Sequence, residues 1–278
     1  MKIGFIGLGQ IGLPTAIRIG KKVPLHVWNR TPEKANTGVI ARNSISSTLE
    51  QMHDKNVIFT CLPSTLESGT IIRKLACGKT KTFIDLSSGC FHQSREIAAD
   101  IEPHTYIDAP ISGGPKGAEA GTLTSMVGAD TVSPDLRELI GIYANNIVLC
   151  GGVGNGNAIK SVNNYLNVSH LMLASDALLG LKKQGIDPAI ALEAINGSSG
   201  RSLQTQERIP NEIITGNYNY GFKLNLMCKD VKNANSLLNS GVFYNTMSQC
   251  LDGCEEVRDD YTTIVNKIEQ WNNEEFDY

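Results

Sequence analysis

The chain has 278 residues, 41% hydrophobic and 19% charged, the balance of a soluble globular protein with room for two domains or one large one. Its net charge of -3 argues against general binding of a phosphate backbone, which needs a basic face. Seven scattered cysteines (Cys61, Cys77, Cys90, Cys150, Cys228, Cys250, Cys254), with no CxxC pair and no HExxH, indicate neither a zinc site nor a disulfide framework, and no metal is expected.

Strand signals begin at Lys2, so no signal or transit peptide is expected, and with no run of about 18 apolar residues no membrane span is expected either. A cytoplasmic protein with reduced thiols is the expectation. Lys2-Ile3-Gly4-Phe5-Ile6 reads as a short buried strand. Gly7-Leu8-Gly9-Gln10-Ile11-Gly12 follows at once, with a helix over Pro14 to Ile19. This is GxGxxG between a strand and a helix: Gly7 for the tight turn, Gly9 for close approach to a pyrophosphate, Gly12 for helix packing. The helix N-terminus supplies N–H groups and partial positive charge for that anion. Pro24 to Trp28 reads as strand two, ending in Asn29-Arg30-Thr31 where a cofactor without a 2′-phosphate usually meets Asp or Glu. Arg30 can pair with a 2′-phosphate and Asn29 and Thr31 can hydrogen-bond it, so NADP(H) is expected over NAD(H).

Asn56 to Leu62 and Thr82 to Leu86 are apolar runs of the kind found in parallel strands covered on both faces. Their ends, Leu62-Pro63 and Ser87-Ser88-Gly89, fall at the edge where ligands of open α/β sheets gather. Helices are predicted over Glu67 to Leu75 and Phe91 to Ile101. Tyr106 to Pro115 reads as a strand and a glycine turn, in which the N–H groups of Ser112, Gly113 and Gly114 can form an anion nest suited to a carboxylate. A helix over Lys116 to Ala120 and strands over Thr122 to Val127 and Asn146 to Leu149 follow.

Gly151-Gly152-Val153-Gly154-Asn155-Gly156 then separates alternating strands and helices from a half that reads as helices alone. A helix is predicted to begin near Asn157, read as its N-cap. Lys160 and Asn164, four apart, share a face with Asn163 beside them, an acid–amide arrangement suited to proton transfer. The stretch to Lys183 is long and apolar on several sides, so it is expected to be buried between domains or between subunits. Gly185 is a predicted C-cap, Asp187-Pro188 opens the next helix and Asn196-Gly197 closes it, followed by a polar link over Ser198 to Ser202. Phe222 to Asp230 opens a helix running to about Leu238, with Lys229 near its beginning, where a lone lysine is unfavourable to the dipole. The last helices are expected over Asn245 to Asp259 and Asp260 to Trp271, with a frayed acidic tail to Tyr278. The fold class is therefore α/β: a Rossmann-type dinucleotide-binding domain (1–153) followed by an all-α substrate and dimerisation domain (154–278).

Taken together, these motifs make the sequence resemble the β-hydroxyacid dehydrogenases, a family that includes 3-hydroxyisobutyrate dehydrogenase and the tartronate-, succinic- and glyoxylate-semialdehyde-type reductases. The likeness runs from Gly4 to about Glu269 through the Gly4–Pro14 fingerprint, Asp108-Ala109-Pro110-Ile111-Ser112-Gly113-Gly114, Gly154 to Asn164, Ser199-Gly200-Arg201-Ser202, and Phe222 with Lys229-Asp230, in the family's order. It implies hydride transfer between NADP(H) and a small β-hydroxy acid or its semialdehyde, with a C-terminal domain like that of 6-phosphogluconate dehydrogenase. It implies Lys160 as acid/base, its pKa lowered by partial desolvation, and Asn164 as an orienting group. Ser112, Gly113, Gly114 and Asn163 become substrate-binding, and Lys229, Phe222 and Ser88 cofactor-binding. A homodimer or homotetramer is expected. Thr15 stands where methionine is common in the family, and Gly89 is unusual. Imine reductases share the architecture but typically lack the lysine, and a non-catalytic NADP(H)-binding protein on the same fold is disfavoured by Lys160 and the acidic balance.

Overall fold

A computed structural model of the chain describes residues 1–36, 38–238 and 241–276. It divides into two compact units, Met1–Ser161 and Val162–Tyr278.

The first unit is built on a six-stranded parallel sheet: β1 (Ile3–Ile6), β2 (Leu25–Trp28), β3 (Ile45–Ser46), β4 (Val57–Thr60), β5 (Thr82–Asp85) and β6 (Thr105–Asp108), in spatial order β3-β2-β1-β4-β5-β6. That order makes the gap between β1 and β4 the point where the chain switches direction across the sheet. The central strands Ile-Gly-Phe-Ile and Val-Ile-Phe-Thr are buried throughout, because helices cover both sheet faces. Those helices are α1 (Gly12–Gly20), α2 (Gly38–Asn43), α3 (Thr65–Leu75) and α4 (Phe91–Asp100). Between β2 and β4 lie short elements the hydrophobic pattern does not announce: 3-10 turns at Pro32–Ala35 and Glu50–Asp54, α2 and the two-residue β3. A second sheet follows, β7 (Ile111–Ser112), β8 (Leu123–Val127) and β9 (Ala144–Leu149), with β7 antiparallel and β9 parallel to β8. Its helices are α5 (Gly114–Ala120) and α6 (Pro134–Gly141), the second unforeseen in the sequence.

The helix α7 (Asn155–Lys182) is 28 residues long and begins two residues before Asn157, so Asn157 is an interior helical residue and not the cap. Ile159, Leu166 and Leu173 on it are exposed in the single chain, so this stripe is not buried within the chain itself. The second unit continues with α8 (Pro188–Asn196), capped as predicted by Asp187, whose Oδ1 accepts from the Ala189 N–H at 2.7 Å. A π-helical turn at Gln204–Ile213, containing Pro210, occupies a region that carries no clear period. α9 (Leu224–Leu238), α10 (Val242–Leu251), a 3-10 turn at Tyr261–Ile264 and α11 (Val265–Asn272) complete it. The predicted helix over Asn245 to Asp259 thus stops at Leu251, before the left-handed Gly253. Its core gathers Leu171, Leu178, Ile209, Met227, Val231 and Tyr261 from these helices. Among the described residues no strand is found in this unit and no helix is long and apolar enough to cross a membrane. The expected fraying at Asp277 and Tyr278 lies outside the described residues.

Candidate active site

Close contact dictates the loop after β1. A Cβ on Gly7 (φ +101°) would lie 2.3 Å from the Cys61 carbonyl oxygen, and one on Gly12 would lie 2.1 Å from the Gly7 carbonyl oxygen. Gly9 differs, since a Cβ there meets nothing within 4 Å, and it is exposed together with Gln10. Leu8 is buried and Ile11 half-buried. No side chain caps α1; in its first turn the Leu13 N–H donates to the Gly9 carbonyl at 2.9 Å and Pro14 carries no N–H, so the positive end of the helix, beside the exposed Gly9 and Gln10, is what an anion meets. The cradle fits a dinucleotide pyrophosphate by shape and by charge.

The end of β2 meets the same loop. Asn29 Oδ1 accepts from the Leu8 N–H at 2.9 Å, and Asn29 Nδ2 donates to the Thr31 carbonyl at 3.0 Å. Its amide therefore braces the glycine loop, while Arg30 and Thr31 are exposed.

At the ends of β4 and β5 a buried polar network supports the loops. The Leu62 N–H donates to Ser87 Oγ at 2.8 Å, and Ser87 Oγ lies 2.8 Å from Ser68 Oγ. Below them Asp85 is fully buried. Its Oδ1 accepts from Thr60 Oγ1 at 2.8 Å and from the Ser87 N–H at 3.1 Å, and its Oδ2 from the Tyr106 hydroxyl at 3.0 Å. Burial pushes the Asp85 carboxyl upward despite these donors. Pro63 is exposed and Ser88 half-buried above this network. The glycine at 89 has a steric reason: a Cβ there would lie 2.1 Å from Thr65 Oγ1, at the first residue of α3.

Ser112 ends β7, and the chain turns through Gly113 (φ +130°) and Gly114 (φ +67°) into α5. Ser112 is half-buried and Gly113 exposed. A Cβ on Gly113 would lie 2.9 Å from Leu123 Cδ2, so β8 holds the turn tight.

The start of α7 is organised by Asp108, a residue quoted above only as part of a motif. Asp108 ends β6 and is fully buried. Its Oδ1 accepts from the Gly154 N–H at 2.7 Å and its Oδ2 from the Asn157 N–H at 2.9 Å. The capping oxygen thus comes from a strand 46 residues earlier. Gly154 supplies a φ of +92°, and a Cβ on Gly156 would lie 2.2 Å from the Met126 carbonyl oxygen and 3.0 Å from Asp108 Oδ2. Burial raises the Asp108 carboxyl while the N–H groups of Gly154 and Asn157 oppose that rise. Asn157 Oδ1 accepts from the Gly89 N–H at 3.0 Å, and its Nδ2 donates to Ser94 Oγ at 2.9 Å and to Thr65 Oγ1 at 3.4 Å. One turn further on, Lys160 is 9% exposed, which contradicts a solvated surface lysine. The sequence signal for Asp85 and Asp108 was a charged residue closing an apolar strand, twice over, in Thr-Phe-Ile-Asp and Thr-Tyr-Ile-Asp.

In the second unit Asn163 Nδ2 donates to Asn164 Oδ1 at 3.1 Å, and Asn164 Nδ2 donates to Asp230 Oδ2 at 2.6 Å. Asp230 Oδ1 lies 3.0 Å from Lys229 Nζ. The Lys229–Asp230 pair is therefore no solvent-exposed pair, since Asp230 is fully buried and also holds Asn164. Phe222 is half-buried, edge-on to Tyr261 at 6.1 Å between ring centroids. Among the described residues no cluster of three His, Cys, Asp or Glu could hold a metal ion.

Strand order and glycine cradle define the first unit as a Rossmann-type dinucleotide-binding domain. Comparison with known proteins agrees. The family model described as the NAD-binding domain of 6-phosphogluconate dehydrogenase matches residues 2–152, and that described as NAD-binding of NADP-dependent 3-hydroxyisobutyrate dehydrogenase matches 154–256. The chain is 34% identical over 242 residues to 2-(hydroxymethyl)glutarate dehydrogenase of Eubacterium barkeri, covering 83% of this chain and 80% of that one. It is 32% identical to 2-hydroxy-3-oxopropionate reductase of Escherichia coli, covering 83% and 82%. A Mycobacterium tuberculosis 3-hydroxyisobutyrate dehydrogenase structure shares the fold at a TM-score of 0.82, with 24% identity over 96% of this chain and 98% of that one. The chain belongs to the β-hydroxyacid dehydrogenase family of NAD(P)-dependent oxidoreductases.

Proposed function

We propose that the enzyme interconverts a small β-hydroxy acid and its semialdehyde, with NADP(H) preferred over NAD(H). The observation that carries this reading is the buried Lys160, one turn into a helix whose start is seated by Asp108. The named relatives act on compounds with an oxygen-bearing terminal carbon two bonds from a carboxylate carbon, and differ in the group at the carbon between. That shared frame is the proposed substrate class.

The dinucleotide would be held by Gly7, Leu8, Gly9, Gln10, Ile11 and Gly12 at the pyrophosphate, and by Arg30 and Thr31 at the 2′-phosphate. Leu62, Pro63, Ser88, Phe222 and Lys229 would serve the rest of it, and Asn29 holds the loop. When bound, the nicotinamide supplies or accepts the hydride. Ser112, Gly113, Gly114 and Asn163 bind and orient the carboxylate, which fixes the reacting geometry. In reduction the Lys160 ammonium gives a proton to the substrate oxygen, and in oxidation the amine takes it back, while Asn164 orients that oxygen. Support for NADP(H) is the exposed Arg30 at the end of β2 and the absence of a carboxylate in Asn29-Arg30-Thr31.

We assign residues 1–153 to cofactor binding and 154–278 to substrate binding and dimerisation; the junction between the two family matches supports that division. The exposed Ile159, Leu166 and Leu173, each seven residues apart on α7, support at least a dimer. The scattered cysteines, odd in number, support the cytoplasm as its compartment. The testing experiment is consumption of NADPH and NADH against a panel of short semialdehydes and keto acids. Turnover of semialdehydes with NADPH ahead of NADH is expected, and turnover of none of them would overturn the reading. Light scattering is expected to give a dimer or tetramer at micromolar concentration, and a monomer would remove the dimerisation role.

A further inference from the structure

Asp108 and Asn157 lie outside the substrate and cofactor roles assigned above, yet both are fully buried beside them. The two oxygens of one carboxylate grip the Gly154 and Asn157 N–H groups, and this pair of bonds fixes both the rotation and the height of α7's first turn. A single acceptor would leave the rotation free. The Asn157 side chain then joins this turn to the Gly89 N–H, Thr65 and Ser94. Gly89 follows Ser88, and Thr65 lies two residues beyond Pro63, so one amide ties the helix to both strand-end loops of the proposed cofactor edge. Ser161 Oγ donates to the Asn157 carbonyl at 2.9 Å and closes the turn on which Lys160 sits. The glycines at 89 and 156 are the complement of this arrangement, since a Cβ at either would push the parts apart.

We infer that Asp108 and Asn157 are positioning residues for proton transfer, setting the register of Lys160 against the loops at Leu62–Pro63 and Ser88–Gly89. The inference rests on the role of Lys160 proposed above. A displacement of about 1 Å of a reacting group can cost about 10²-fold in rate, so loosening this turn should act on turnover and spare the cofactor cradle.

The test places Asp108→Asn and Asn157→Ala each in the wild-type and in the Lys160→Ala background, assayed with NADPH and tartronate semialdehyde and with NADP+ and 3-hydroxyisobutyrate. In the wild-type background each should lower kcat about 10–100-fold, with KM for the dinucleotide unchanged within about twofold. In the Lys160→Ala background the same substitutions should change kcat by less than about twofold, because the group they position is gone. Equal losses in both backgrounds would overturn the positioning role and leave Lys160 in place. A wild-type kcat for Lys160→Ala would remove Lys160 from the mechanism and the inference with it, a distinct result. Ser94→Ala removes one partner of Asn157 and guards against failure to fold; a smaller kcat loss with the same dependence on Lys160 is expected. Amide exchange in the chain without cofactor gives a readout apart from turnover. Asn157→Ala should speed exchange at Gly89, and unchanged protection there would overturn the link.

Discussion

Two aspartates lie side by side in this sheet and are held in opposite ways. Asp85 ends β5 and Asp108 ends β6, paired in register, and both are fully buried. Asp85 is surrounded mainly by hydroxyls, with Thr60 and Tyr106 donating directly and the Ser87 and Ser68 hydroxyls next to it, and accepts one backbone N–H, that of Ser87, on Oδ1. Asp108 meets backbone N–H groups of α7. A hydroxyl can donate or accept by rotating, whereas an amide N–H only donates. The first site therefore tolerates a change in its central group, and the second demands two acceptors in place. One supports a loop, and the other supports the helix that carries Lys160.

The largest effect expected is on the Asp108 side, at Lys160 itself. Lys160→Ala should lower kcat by about 10²–10⁴-fold with dinucleotide affinity unchanged. Lys160→Arg should be nearly as damaging, because a guanidinium stays protonated and has a different shape. Asn164→Ala should be milder, since it removes an orienting bond and not the proton. Steady-state kinetics with fluorescence titration of NADPH checks all three, and wild-type turnover by Lys160→Ala would refute the assignment.

Next in size is the direct comparison of the two carboxylates. Asp108→Asn keeps one acceptor but turns an NH2 toward an N–H that can only donate. Losing or inverting one charge-assisted bond and weakening the other should cost about 3 kcal/mol. Asp85→Asn can keep its oxygen toward Thr60 and the Ser87 N–H and turn its NH2 toward the Tyr106 hydroxyl, which can accept, and should cost about 1 kcal/mol or less at neutral pH. Urea denaturation gives both numbers, and equal losses would break the distinction between the sites.

Arg30→Ala should touch neither aspartate. KM for NADPH should rise about tenfold to a hundredfold, the effect of losing a charge-assisted pair worth about 1.5–3 kcal/mol, with KM for NADH and kcat little changed. A wild-type enzyme that prefers NADH would overturn this role for Arg30.

What the sequence made legible follows from range. The glycine loop, the strand ends and the Lys160–Asn164 spacing are local patterns, and periodicity placed most strands of the first unit within a few residues. Local pattern misassigns the cap of α7, because its oxygen comes from Asp108, far back in the chain, while the nearer Asn157 carries a side chain of the preferred capping type. The role of Asp230 was hidden for the same reason, since its partner Asn164 is 66 residues away. The reason for Gly89 is likewise distant in sequence, since Thr65 lies where its Cβ would be. The π-helical turn at Gln204–Ile213 follows no 3.6-residue period and contains a proline, so pattern alone had nothing to find.

The smallest expected effect is a pH dependence that sharpens the contrast at Asp85. Burial raises its carboxyl above the ordinary 3.8. The folded protein thus holds that proton more tightly than the unfolded chain does. Where the unfolded state binds fewer protons, stability falls as pH rises. The loss begins near the unfolded pKa and is complete above the folded one. Of the neighbouring groups, the Tyr106 hydroxyl is raised well above its usual range and desolvation pushes the Cys61 thiol up to about 12, so both stay protonated from pH 5 to 8, while Asp108, whose carboxyl burial also raises, is common to wild type and variant. Asp85→Asn removes the titration without adding charge. Its stability relative to wild type should therefore improve as pH rises from about 4 toward 8. Urea midpoints measured at intervals across that range test the sign, and a relative stability that falls with pH would mean that Asp85 is held as a carboxylate by its hydroxyl donors.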